Sequence, residues 1–318
     1  MTNYSKKMII PDELAGNRLD LSAAKIFSEF SRNRIKSWIK DGSLLVDGQQ
    51  LRPRDIINGG EIIELQTVFT ELTYSKAEPI TLDIRYEDEQ IAVINKPVGL
   101  VVHPGAGNLN GTLMNGLLHQ WPDLNELPRA GIVHRLDKET SGLMVVAKTH
   151  IAHNSLVRQL EKREVTREYD AICNGVLTGG GTINEAIKRH HVNRKKMTVR
   201  DDGKEAITHY RVQHRFRAHT HIKVSLETGR THQIRVHFAY RRHTLVGDPL
   251  YGRLMIPAGC SSKLREALSV FKRQALCATK LKLIHPLTTE ELIIEIPPAD
   301  DFKNLLSVMQ EDLSSNEG

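Results

Sequence analysis

Two short apolar runs, 130–133 and 143–147, bracket the nine-residue loop HRLDKETSG (134–142), and no other stretch of the chain constrains its fold as much. Both runs carry β-branched residues, which suit a pleated surface, so both are read as buried strands. A loop held at each end by a buried strand keeps its position fixed while its side chains stay accessible. At its centre Asp137 sits between two cations, Arg135 and Lys138. The pattern alone leaves two readings open. Asp137 is a site for chemistry, or the loop is a charged hairpin tip with a solvated carboxylate.

The residues are more specific than the pattern. GIVHRLDKETSGLMVVAKT (131–149) resembles the catalytic motif of the RluA-type pseudouridine synthases, in which the aspartate of HRLD is essential. NKPVGLVVHPGAGN (95–108), TREYDAICNG (166–175), LETGRTHQIRVH (226–237) and VGDPLYG (246–252) resemble further motifs of that family, in the same order. The resemblance implies an α+β fold with a large mixed, mainly antiparallel sheet, flanking helices and a cleft across the sheet. It implies an isomerase that converts uridine in RNA to pseudouridine. The wording is nearest to family members that act on large-subunit ribosomal RNA. That implies 23S ribosomal RNA or the large-subunit particle as partner, in the helix 69 stem-loop. By resemblance Asp137 is the catalytic carboxylate, Arg235 pairs with it, and Tyr169 packs on the uracil. Arg135 enters the place the base has left, and His134 beside it also contacts RNA. Isomerisation gains and loses no atom, so no cofactor is expected. The glycines of 103–113 form no phosphate-binding GxxxxGK[ST] loop.

At 318 residues the chain is long enough for two domains, and 40% hydrophobic content fills their cores. Lys+Arg of 44 against Asp+Glu of 38 leaves +6, with a pI near 9.1. The surplus suits a polyanionic partner without requiring one. Cys173, Cys260 and Cys277 are widely spaced, which fits neither a disulfide framework nor close zinc-binding pairs. The start lacks the apolar region of a signal peptide, and no run reaches the roughly 18 apolar residues a membrane helix needs. A cytoplasmic monomer is expected.

Residues 1–15 read as an irregular lead-in. From Gly16 the pattern is helical, with Leu19, Ala23, Ile26, Phe27 and Phe30 on one face. Ser31 can cap a second helix that buries Ile35, Trp38 and Ile39 and stops at Gly42. Its other positions carry Arg32, Arg34, Lys36 and Lys40. A strand turns at Asp47-Gly48 and another follows over 62–65. RLD…SRxxIxxWIxxG…VxVxG…GGExI resembles an S4 RNA-binding domain over 16–75, with VDG where that family more often has VNG. The resemblance implies that the four cations meet RNA. Residues 67–80 keep no period. A linker is placed at 76–80, the catalytic domain at 81–312 and a frayed tail at 313–318.

Within 81–312, IRYEDEQIAVINKP reads as strand, acidic turn and strand, and 113–119 as a short helix. An amphipathic helix over 150–164, with Ile151, Leu156 and Leu160 inward, precedes a strand at 168–174. HHVNRKKMTVR (190–200) is strongly basic, and Arg194, Lys195 and Lys196 are its candidate phosphate contacts. Alternation over 208–229 gives strands with one wet face. THQIRVHFAY is a helix with Ile234 and Phe238 inward. Residues 253–273 read as an exposed insertion, 278–284 and 292–296 as closing strands. A last helix from Asp300 buries Phe302, Leu305, Leu306 and Met309. His219 and His221 share a strand face, yet no neighbouring acid or cysteine completes a zinc site, so no metal is expected. Strands and helices do not alternate regularly, which makes the class α+β. Three other functions stay open on the residues: a glycosidase with Glu139 as its second acid, a non-catalytic RNA binder, and a synthase acting on transfer RNA.

Overall fold

The computed structural model describes residues 2–27, 30, 32–69, 76–105 and 107–315, and the chain divides into two compact units, Met1–Tyr74 and Ser75–Gly318. The smaller holds β1 (Thr2–Ile9), α1 (Leu19–Ile26), α2 (Arg32–Asp41), β2 (Leu44–Val46) and β3 (Ile62–Phe69). Its antiparallel sheet has the order β1-β3-β2. Leu19, Ala23, Phe27, Ile35, Trp38 and Ile39 pack from the helices onto Leu44, Val46, Ile63 and Leu65. After β2 the chain reverses at Asp47 and Gly48, with φ of 47° and 74°, the two positive values a two-residue hairpin turn demands.

The expected irregular lead-in is corrected. Residues 2–9 are an edge strand paired along its whole length with 62–69, and the same ladder extends β3 through 67–69. An edge strand is held by its hydrogen-bond ladder and tolerates lysines, so Lys6 and Lys7 hide it from a search for apolar alternation. The expected cap Ser31, the stretch 70–75 and the last residues 316–318 lie outside the described residues.

The larger unit runs β4 (Ile84–Glu87), β5 (Ile91–Lys96), α3 (Leu113–Gln120), β6 (Ser141–Ala147), α4 (His150–Glu161), β7 (Thr166–Asn174) and β8 (Gly181–Asn184). Then come β9 (Ile187–Arg189), β10 (Met197–Val199), β11 (Ile207–Arg215), β12 (His219–Leu226) and α5 (Gln233–Tyr240). It ends with α6 (Ser262–Val270), β13 (Leu276–Ile284), β14 (Glu291–Glu295) and α7 (Asp300–Ser314). Among the described residues the main sheet is nine-stranded, in the order β4-β5-β6-β13-β7-β12-β11-β8, with β14 also on β13. Every pairing is antiparallel except β6 with β13, so the sheet is mixed and mainly antiparallel, as expected. β9 and β10 form a separate ribbon.

Every residue of β6 is buried. At its parallel contact with β13, a Cβ on Gly142 would stand 2.1 Å from the carbonyl oxygen of Ala278, so only glycine fits where the loop enters the sheet.

Three further expectations are corrected. Residues 130–133 are no strand: 128–131 form a tight turn in which Arg129 and Ala130 are left-handed, with φ of 56° and 52°, and Ile132 makes a single bridge to Val146. β-branched apolar residues suggest a pleat, but a buried apolar run serves equally as a turn packed beside a strand, here β6. Ile151 is exposed, because Ala152, Leu156 and Gln159 form the inward stripe of α4 at helical spacing. Residues 253–273 are not an exposed insertion. α6 buries Leu264 and Leu268, which pack with Phe271 against Phe302, Leu305 and Met309 of α7.

Candidate active site

The loop 134–142 is fastened on both sides of its tip. Leu136, 4% exposed, roots it in the core between Arg135 and Asp137. Lys96, completely buried at the end of β5, donates from its ammonium to the carbonyls of Pro97, Leu100 and Lys138 at 2.8, 2.9 and 3.1 Å. All its protons are used, the condition for burying an ammonium without a carboxylate partner. Burial brings Lys96 down to about 8, against the pull of Glu139 and Asp137. The Gly99 N–H also donates to the Lys138 carbonyl, at 2.9 Å. Beyond the tip, Gln274 donates to the hydroxyl of Thr140 at 3.0 Å.

Arg235 reaches Asp137 from α5, whose residues 233–238 are all buried. Its Nη1 donates to Oδ2 of Asp137 at 2.8 Å. Its Nε and Nη2 take both oxygens of Asp248, at 2.7 and 2.9 Å. A planar guanidinium is suited to this fork, and an ammonium could not reproduce it. Burial alone would lower Arg235, but Asp248, with help from Asp137, pushes it above the ordinary arginine value. Burial would likewise raise Asp248, yet Arg235 and the N–H groups of Leu250 and Tyr251 hold it below the usual carboxylate range. Among the described residues no donor hydrogen-bonds Oδ1 of Asp137, the oxygen left open. Nε2 of His232 stands 3.8 Å from it.

Asp137 lines a cavity of about 560 Å³ together with Tyr169, Arg167, Arg135, His103 and Leu276. That volume falls in the range of small-molecule sites. Arg167 and Tyr169 alternate along β7 and so point the same way. Burial raises the Tyr169 phenol above its ordinary value, opposed by Arg167 and aided by Asp137, so the ring is neutral. Arg167 is 7% exposed, its Nε is buried without a partner, and burial pulls its pKa down. The Nε2 of His103 is likewise buried and, among the described residues, unpartnered, and burial with Arg129 and Arg135 brings that ring to about 4.

The structure brings Asp137, Tyr169, Arg235 and the exposed Arg135 to this cavity. His134 also lines it, in a different capacity from the one expected. Its Nε2 accepts the Val145 N–H at 3.0 Å, and burial, then Arg167, lowers the ring to about 3. The imidazole is neutral and committed to β6, so His134 presents no charge to RNA. Glu139 lines a different cavity, between α6 and α7, so it does not stand opposite Asp137 as hydrolysis would require.

The remaining candidates lie elsewhere. In the smaller unit Arg32 and Lys36 converge with Arg18 on the buried Asp20, at 2.8, 3.3 and 3.0 Å. Burial would raise Asp20, and hydrogen bonds from the three cations outweigh it and hold the carboxyl low. Arg34 lies 5.5 Å over the Trp38 ring, and Lys40 is exposed. Arg194 and Lys195 are exposed, while Lys196 sits half-buried 5.9 Å over the Tyr251 ring. His221 does have an acidic neighbour, contrary to expectation. Asp170 accepts from it at 2.7 Å, and from Lys223 and Thr279 at 2.8 and 2.6 Å. Among the described residues no group of three His, Cys, Asp or Glu side chains could hold a metal.

The sequence reading passed over Lys96, His232, Asp248 and Gln274. Lys96, His232 and Asp248 stand inside the motifs NKPVGLVVHPGAGN, LETGRTHQIRVH and VGDPLYG. What position in a motif does not tell is that Lys96 and Asp248 are buried, which is what turns a surface charge into a clamp.

An RNA pseudouridylate synthase family model matches residues 90–240. The chain is 55% identical over 304 residues to a protein of Pseudomonas aeruginosa named ribosomal large subunit pseudouridine synthase D, covering 95% of each. It is 51% identical over 313 residues to the protein of that name from Xylella fastidiosa, covering 98% of this chain and 95% of the relative. The solved structure of human RNA pseudouridylate synthase domain containing 4 superposes with a TM-score of 0.56 at 25% identity, covering 71% of this chain and 92% of the other.

Proposed function

The chain belongs to the RNA pseudouridylate synthase family, alongside relatives named ribosomal large subunit pseudouridine synthase D, and from that membership we propose that it isomerises specific uridines of 23S ribosomal RNA, in the helix 69 stem-loop. The observation that carries the reading is Asp137, with Oδ2 held by Arg235 and Oδ1 open to the cavity. In the reaction the bond from C1′ to N1 breaks, the uracil turns, and C1′ bonds to C5. C5 gives up its proton and N1 gains one. Nothing is gained or lost overall, so the protein's task is placement of one carboxylate against the sugar and base.

The target base must leave its stack, at a cost of a few kcal/mol that is smallest in a loop. Arg135, exposed at the mouth, takes the vacated place. Tyr169 packs its neutral ring on the uracil. The smaller unit is read as an S4-like RNA-binding domain, in which Arg18, Arg32 and Lys36 form a fixed row of cations for phosphates, joined by Arg34 and Lys40. Arg194, Lys195 and Lys196 add a second basic contact. The enzyme works as a cytoplasmic monomer, on 23S RNA or the large-subunit particle, with no cofactor. No helix among the described residues is long and apolar enough to cross a membrane.

The test is to map pseudouridine in total RNA from a deletion strain complemented with the wild-type gene or with Asp137→Asn. Sites in 23S RNA should vanish on deletion and return with the wild-type gene alone. Loss confined to transfer RNA, or full return with Asp137→Asn, contradicts the reading.

A further inference from the structure

His232 is the unusual residue at this site. It opens α5 with φ 57° and ψ 21°, a left-handed conformation that residues with a Cβ seldom adopt. Its Nδ1 lies 2.8 Å from the hydroxyl of Tyr251, and the two rings meet edge to face. That hydroxyl already accepts the Met197 N–H at 2.7 Å. Hydrogen-bond accounting then selects one tautomer. If Nδ1 is bare, Tyr251 donates to it while accepting from Met197, so the hydroxyl is used in both directions, and the proton on Nε2 faces Asp137 3.8 Å away. If Nδ1 carries the proton, the tyrosine proton has no acceptor among the described residues, and a bare Nε2 faces the carboxylate of Asp137.

We propose that Tyr251 fixes His232 as its Nε2–H tautomer, making His232 a positioning residue that presents a neutral donor to Oδ1 of Asp137, the oxygen Arg235 leaves open. This rests on the reading of Asp137 as the reacting carboxylate. The present separation of 3.8 Å is the kind of gap that substrate-driven closure removes. Arg235, Asp248 and Arg135 are the other charged groups around the ring. Burial holds His232 below the ordinary histidine value, so it remains an uncharged donor at neutral pH. Burial pushes the Tyr251 phenol up to about 12, so it keeps the proton it donates. Met197 begins β10, which follows the basic stretch 190–196, so the same hydroxyl ties the end of that stretch to His232.

The test reads tautomer and rate separately. Imidazole nitrogen shifts of ¹⁵N-histidine wild-type protein should show His232 protonated on Nε2 and bare on Nδ1, assigned by the signal missing from His232→Asn, a substitution that tolerates the left-handed backbone. Tyr251→Phe should lose that preference. Its single-turnover rate at saturating RNA should fall about tenfold, the lower end for a hydrogen bond to a charged group. His232→Asn should fall by a similar factor, and the double variant no further. A wild-type ring protonated on Nδ1, a Tyr251→Phe enzyme at full rate, or additive losses would overturn the proposal. An active Asp137→Asn enzyme would instead overturn the reading beneath it, and the tautomer measured on the wild type separates the two failures.

Discussion

In the smaller unit the buried charge is an anion and the exposed ones are cations: Asp20 is sealed in, and Arg18, Arg32 and Lys36 are held around it with their heads still reaching water. In the larger unit the arrangement is inverted. Arg235 is the sealed charge, one carboxylate beneath it is wholly buried, and the other, Asp137, keeps an edge in the cavity. Removing one partner of such a cluster strands the rest, which costs about 3–5 kcal/mol when burial is complete. Each cluster therefore fixes whatever it leaves exposed. One leaves a row of positive charge, which suits phosphates and cannot do covalent chemistry. The other leaves a single carboxylate oxygen, which suits chemistry and would repel a phosphate.

Removing the exposed carboxylate should have the largest effect. Asp137→Asn keeps the size and the contact with Arg235 but loses the charge, and single-turnover isomerisation should fall by roughly a thousandfold or more. Asp248→Asn comes next, because it attacks the anchor and leaves the Asp137 carboxylate itself intact. A displacement of about 1 Å can cost about 100-fold in rate, and urea denaturation should show a loss of about 3 kcal/mol as the buried guanidinium loses half its fork.

Lys96 sharpens the comparison through pH. Its ammonium clamps the loop only while protonated, so its contribution to the wild-type rate at saturating RNA should decline as pH rises through about 8. Stability should move the other way. The folded value lies below the unfolded one near 10.5, so the unfolded chain holds the proton more tightly in that window, and this group's contribution favours folding more as pH rises. Lys96→Met should be slower and lack this decline. A rate that falls together with stability would assign the loss to unfolding.

The smallest effect on rate belongs to the exposed row. Arg32→Gln with Lys36→Gln should weaken RNA binding and make its log–log salt slope shallower by roughly 1.5, with the rate at saturating RNA unchanged. An unchanged slope would mean that these cations serve Asp20 alone.

The difference between the clusters also explains what could be read from the chain. Ile35, Trp38 and Ile39, or Ile234 and Phe238, were legible because helical periodicity reports directly which face is inside. The gathering of Asp137, Tyr169 and Arg235 at one cavity was legible because whole motifs surround them. The edge strand at 2–9 was not, since a backbone ladder leaves no mark on side-chain pattern. Nor was the pairing of Arg32 and Lys36 with Asp20, because a helix face rich in cations reads the same whether it meets water or a buried acid. His134 and Asp248 depended on contacts 11 and 13 residues away, with Val145 and Arg235, which spacing alone does not announce.

The most direct test of this division of labour measures RNA affinity and single-turnover rate side by side, on one stem-loop of 23S RNA, for three proteins: wild type, Asp137→Asn, and Arg32→Gln with Lys36→Gln. The account predicts that Asp137→Asn loses the rate while its affinity stays within about tenfold, or about 1.4 kcal/mol, of wild type. It predicts that the double variant loses affinity and, once saturated, reacts at the wild-type rate. A saturated double variant as slow as Asp137→Asn, or an Asp137→Asn protein that turns over near the wild-type rate, would contradict it.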